Sequence, residues 1–133
     1  MSTEVEMILR LLMAAVLGAG IGLQRELAVK PAGLRTHALI CLGSALFTIA
    51  SNEGFGGDWV DSSRVAAGVV TGIGFLGAGT IIRDRRGVMG LTTAASIWTI
   101  AAIGIAVGAG LYIIAAASGL LTAVILAIPK MRE

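Results

Sequence analysis

The chain has 133 residues, 56% of them hydrophobic and only 14% charged, with a mean hydropathy of +0.92. A soluble domain carries about 25% charged residues, and a small fold needs still more polar cover for its surface, so a soluble enzyme, a nucleic-acid-binding domain and a disordered tail all fit poorly. The net charge of +2 rests on ten basic side chains, too few for a nucleic-acid surface, and the bilayer is the expected solvent.

The first apolar run spans roughly Val5 to Leu23. No basic segment precedes it; Glu4 and Glu6 stand there instead, so it reads as a retained helix rather than a signal peptide. Arg10 lies about one turn inside, where its long stem can snorkel to the interface as an anchor, with a buried partner as the alternative. The second run covers Thr36 to Ser51 and the third Val65 to Ile82. The last, Leu91 to Ile128, holds no charged residue and is too long for one crossing of about 20 residues. A break at Gly108-Ala109-Gly110 divides it into two spans. The expected fold class is all-α, a polytopic bundle of about five transmembrane helices, with residues 1–133 forming a single domain.

Loop charges set an expected orientation. Arg25, Lys30 and Arg35 follow the first span, Arg83, Arg85 and Arg86 follow the third, and Lys130 and Arg132 end the chain. The loop after the second span carries Glu53, Asp58 and Asp61 against Arg64. Short cytoplasmic loops collect Lys and Arg, which predicts the N-terminus outside, the C-terminus inside and the loop Gly54 to Ser63 outside.

The sequence has 19 glycines, about twice the usual ~7%. Gly72-Ile73-Gly74-Phe75-Leu76-Gly77 matches a dinucleotide fingerprint, but it sits inside an apolar run, and the twentieth residue beyond Gly77 is Ile97, not an acid. Helix packing explains it better. Gly68, Gly72 and Gly79 share a predicted helix face, and Gly18 with Gly22 and Gly104 with Gly108 repeat the spacing of four. Such faces bring helices close, either within the chain or between copies.

Hydroxyls also fall in register. Ser44, Thr48 and Ser51 follow His37 on the second span, and Thr92, Ser96 and Thr99 line the fourth. Two such stripes either border a hydrated path or, as expected here, bond to their own backbone and to neighbouring helices. No span centre carries Asp, Glu or Lys, which counts against an autonomous secondary transporter. Cys41 is the single cysteine and His37 the single histidine, so neither a disulfide nor a metal site is indicated. No cofactor is expected.

Six ordered blocks then carry a resemblance. They are Gly22-Leu23-Gln24-Arg25-Glu26, Ala32-Gly33-Leu34-Arg35-Thr36-His37, Gly43-Ser44-Ala45-Leu46-Phe47, Arg64-Val65-Ala66-Ala67, Gly72 through Ile81, and Gly90-Leu91-Thr92-Thr93-Ala94-Ala95-Ser96-Ile97-Trp98. Between about residue 8 and residue 115 the chain resembles the transmembrane domain of the MgtC/SapB family of bacterial inner-membrane proteins. The resemblance implies a small multi-span protein that is not an ATPase, in a setting of low magnesium, survival inside host cells and control of membrane energetics. Many family members carry a C-terminal soluble domain of ACT-like type, whereas this sequence stops at Glu133.

The leading expectation is a non-enzymatic regulatory or adaptor membrane protein that works by helix contacts with itself or another membrane complex. The rival is a small oligomeric transporter or channel for Mg²⁺ or another ion. A Ser44–His37–Glu26 triad is a distant third, since residue types without hydrogen-bond geometry do not specify one. The functional cluster is expected at the cytoplasmic face: Arg25, Glu26, Arg35, Thr36 and His37, together with Thr92 and Thr93 at the start of the fourth span. There the free N–H groups and dipole of the helix favour an anion.

Overall fold

The computed structural model describes residues 3–57 and 61–130; Asp58 and Arg132, counted above among the loop charges, lie outside them. Among the described residues the chain forms α1 (Glu4–Leu27), α2 (Leu34–Glu53), α3 (Ser63–Ala78), β1 (Ile82–Asp84), β2 (Gly87–Met89), α4 (Leu91–Gly108) and α5 (Tyr112–Ala127). The molecule is an all-α membrane helix bundle with one small hairpin. Helices α1, α2 and α4 are long and apolar enough to cross a membrane. Helices α3 and α5 have 16 residues each, about 24 Å at ~1.5 Å per residue.

The helix ends follow from local chemistry. Thr3 caps α1 by accepting the Glu6 N–H on its hydroxyl, at 3.1 Å. At the far end the Lys30 N–H reaches Arg25 O and the Val29 N–H reaches Glu26 O, the paired bonds of a Schellman motif. The same pair closes α4, from Leu111 N to Ala106 O and from Gly110 N to Val107 O. Gly110 supplies the left-handed residue there, with φ +85°, and this is the break the glycines predicted. After α1 the left-handed position falls on Val29, φ 57°, the one non-glycine residue with positive φ among those described. A β-branched side chain is strained there, and Val29 is 90% exposed, so packing does not compensate. Val29→Gly is expected to raise stability by roughly 1 kcal/mol, read as a higher melting temperature of the purified protein.

Helix α2 lies between α1 and α4, and both neighbours meet it through glycine. A Cβ on Gly18 would fall 2.5 Å from His37 O and 2.8 Å from the Cys41 Cβ, and one on Gly22 2.6 Å from Gly33 O. On the other side, a Cβ on Gly104 would sit 2.8 Å from the Ser44 Cβ and one on Gly108 2.8 Å from the Thr48 Cβ. The core follows this seam: Ala14, Ile21, Cys41, Ala45, Ile100, Ile103 and Val107 are buried together, with Ala115 of α5. A second cluster of Ala32, Ile73, Ile97 and Ala101 attaches α3 to α4.

Three expectations are corrected. Cβ atoms built on Gly68 and Gly72 meet nothing within 4 Å, and Gly79 lies beyond the end of α3 and meets only Leu76 and Phe75 carbonyls of its own turn. This face is therefore not a helix crossing within the chain; α3 touches α4 through Gly77, next to Ala94. The third span stops at Ala78 rather than Ile82, because the chain turns at Gly79-Thr80 and enters the hairpin, where Ile82 pairs with Met89. For Arg10 the alternative of a buried partner holds instead of simple snorkelling. Its guanidinium is paired with Glu6 and donates to Tyr112 Oη at 2.7 Å and to Gly108 O at 2.9 Å, and the residue as a whole is 9% exposed.

Candidate functional site

The polar residues that end α1 and begin α2 and α4 meet at one end of the bundle. Arg25 faces inward in the last turn of α1 and is 4% exposed. Its Nη2 donates to Thr93 Oγ1 at 2.9 Å, in the first turn of α4. His37, in the first turns of α2, is fully buried. Its Nδ1 lies 2.9 Å from Gly33 O and its Nε2 2.9 Å from Ser96 Oγ. Since a carbonyl only accepts, Nδ1 carries the proton facing Gly33. In the neutral ring Nε2 is an acceptor facing the Ser96 hydroxyl, whose single proton goes either to Nε2 or to Thr93 O, 2.8 Å away. Arg25, Thr93, Ser96 and His37 thus form one buried polar cluster joining three helices.

The remaining expected members are placed around it. Glu26 is exposed, and its Oε1 accepts the Leu34 N–H at 3.3 Å. It caps the start of α2, where a negative charge meets the positive end of the helix dipole. Among the described residues it forms no ion pair with Arg25 or Arg35. Arg35 and Thr36 are exposed and do not join the cluster. Thr92 is half-buried and borders an open cleft of about 390 Å³ between α4 and α5, together with Ser96, Thr99 and Thr122.

The two hydroxyl stripes do not border a common path. The Ser44 and Thr48 Cβ atoms fill the notches at Gly104 and Gly108, Thr48 Oγ1 donates to Ser44 O at 2.8 Å, and Ser51 Oγ donates to Ser62 O at 2.8 Å. On α4, Thr99 Oγ1 donates to Ala95 O at 2.8 Å. Ser44, His37 and Glu26 form no hydrogen-bonded chain, because His37 bonds Ser96 and Glu26 bonds Leu34.

Sequence reasoning missed Gln24, whose Nε2 donates to Ala123 O of α5 at 2.9 Å, and Thr122, whose hydroxyl donates to Ser118 O at 2.7 Å. The signal for Gln24 was an amide directly before Arg25 on an otherwise apolar run. Tyr112 was missed too, although it is the single tyrosine and opens α5 opposite Arg10.

The MgtC family model matches residues 11–133. The chain belongs to the MgtC family. It is 52% identical over 113 residues to the "Putative magnesium transporter YhiD" of Escherichia coli (strain K12), covering 80% of this chain and 53% of that protein. It is 48% identical over 104 residues to "Protein MgtC" of Salmonella typhimurium (strain LT2), covering 77% of this chain and 43% of that protein. It is 44% identical over 115 residues to "Protein SrpB" of Synechococcus elongatus, covering 77% of this chain and 63% of that protein. The chain thus spans about half the length of the curated relatives it matches. No solved structure matches it. The buried cluster accordingly lies within the MgtC family region of the chain.

Proposed function

We propose that this MgtC family protein is a non-enzymatic inner-membrane regulator or adaptor that adjusts membrane physiology under magnesium limitation through helix contacts. The observation that carries the reading is an apolar groove of about 730 Å³ left open between α2 and α3. Gly18, Gly22, Gly104 and Gly108 are filled by neighbouring helices, whereas Gly43, Gly68 and Gly72 along this groove meet nothing. A membrane protein that acts by contact needs such an unfilled helix face. The printed name of the Escherichia coli relative supports the link to magnesium. Crosslinking and co-purification from native membranes test the reading, and a recurrent membrane-protein partner or a stable self-complex is the expected result.

A transporter is the second reading. The α4–α5 cleft with its four hydroxyl-bearing residues favours it, as does the relative's name. Saturable Mg²⁺ flux into proteoliposomes of the purified protein would overturn a pure adaptor.

The proposed orientation places the N-terminus outside and the C-terminus in the cytoplasm, supported by the Lys and Arg of the α1–α2 loop and the hairpin. A Ser62→Cys probe is expected to react with an impermeant maleimide in intact cells, while buried Cys41 stays silent. Labelling only after the inner leaflet is opened would reverse the assignment.

A further inference from the structure

We infer that the α2–α3 groove is the seat of a second copy of this chain, forming a two-fold dimer in the membrane. This rests on the contact-based reading above and names its partner. The groove has a floor of small residues, Gly43, Gly68 and Gly72, between larger ones such as Leu39, Phe47 and Leu76. On the groove wall Phe47 is 60% exposed and Leu39 65% exposed. One surface therefore carries both the holes and the knobs. An isologous contact requires that self-complementarity, since each copy presents the same patch to the other. Lipid chains fill such a groove with less order than interdigitating side chains, and close backbone approach at glycine is what drives association where no hydrophobic effect acts.

Charge at one end of the groove selects a second copy over a foreign helix. A two-fold axis parallel to the helices sets α2 of one copy against α3 of the other. Glu53 ends α2 and Arg64 lies in the first turn of α3, both exposed and at the same level of the bundle. Neither forms an ion pair within 4.0 Å among the described residues, although Asp61, three residues before Arg64, lies within its electrostatic reach. The axis brings Glu53 of each copy towards Arg64 of the other, twice over. At the opposite end, exposed Arg35 begins α2, one turn from Leu39, and α3 finishes with its carbonyl end. A cation at a helix C-terminus is favourable, but exposed Arg83, Arg85 and Arg86 follow α3 there, so the charge argument rests on the Glu53–Arg64 end. The length of α3 agrees with association: a helix of about 24 Å is shorter than the ~30 Å hydrocarbon core, a mismatch that association relieves.

The test measures stoichiometry of the full chain in lipid nanodiscs, by single-molecule photobleaching. The wild type is expected to be a dimer. Gly72→Leu is expected to keep its helical content and melting behaviour, because the added carbons enter open space, and to weaken dimerisation at least tenfold. Glu53→Arg and Arg64→Glu are each expected to weaken it as well. Mixed together, these two single variants are expected to form the heterodimer in preference to either homodimer, since only that pairing restores both opposite-charge contacts.

A monomeric wild type would overturn the inference. So would a dimer indifferent to Gly72→Leu, random mixing of the two charge variants, or loss of folding by Gly72→Leu. A monomer that still captures a heterologous membrane complex would sink the dimer and leave the adaptor reading standing. Saturable ion flux by an intact dimer would do the reverse.

Discussion

Gly104→Leu and Gly18→Leu should each be severely destabilising. At Gly18 the obstacles to a new Cβ are His37 O and the Ala38 Cα, and at Gly104 they include Cys41 O and the Ser44 Cβ. Backbone atoms cannot rotate away as a flexible side chain does. Overpacking costs ~1–3 kcal/mol in adaptable cores and occasionally more, and these sites belong at or above the upper end. The expected readout is loss of folded protein on membrane extraction and a melting temperature far below that of the wild type. Gly72→Leu supplies the contrast. All three changes add the same isobutyl group to a glycine of a membrane helix, so a similar loss of fold in each would show that the tight seams and the open groove are wrongly distinguished.

Arg10→Met is the second large effect. Methionine matches much of the arginine stem, so the change tests the guanidinium rather than the volume. Its loss strips Gly108 O and Tyr112 Oη of a buried donor and removes the guanidinium paired with the Glu6 carboxylate. An acceptor left unsatisfied costs about 1–3 kcal/mol. Because Glu6 is half-exposed, its lost pairing adds little once solvent screening is counted. A destabilisation of about 2–3 kcal/mol is expected, with Tyr112→Phe costing about 1 kcal/mol. Unfolding midpoints of the purified variants check both. Equal stability of Arg10→Met and wild type would mean that the arginine merely reaches for the interface.

These two cases show what hydropathy and spacing can reveal. Apolar runs located all five helices, and the Gly108-Ala109-Gly110 break was legible because a Schellman motif needs a left-handed residue. The end of α1 was not. Gln24, Arg25 and Glu26 look like a loop to a hydropathy window, yet the helix continues through them because Ala123 O, Thr93 Oγ1 and the Leu34 N–H await their side chains. Those partners lie 8 to 99 positions away in sequence, beyond the reach of any local pattern. The hairpin was invisible for the opposite reason: its strands have three residues each, and Ile82 merges with the apolar run before it.

Glycine spacing was legible and glycine direction was not. Gly68 and Gly72 have the same four-residue spacing as Gly104 and Gly108, but one pair meets open space and the other meets α2. The cluster residues divide in the same way. Arg25, His37 and Thr93 are turned inward by the tertiary packing, while Arg35 and Thr36, equally polar and adjacent to His37, fall on the outer side of α2.

The grip of α1 and α4 on α2 also decides which parts of this bundle can move. With carbonyl and Cβ atoms seated in glycine notches on both flanks, α2 can neither rotate nor slide without riding over a backbone, and close-packed interiors resist such gradual deformation. The helices α1, α2 and α4 therefore behave as a keel. Any working stroke of the molecule falls to α3, hung on the keel by Gly77, Ile73 and Ile97, or to α5, which is held through Ala115, the Gln24 amide and the Arg10–Tyr112 bond. Slow hydrogen exchange along α2 and faster exchange along α3 are the expected signature of that division.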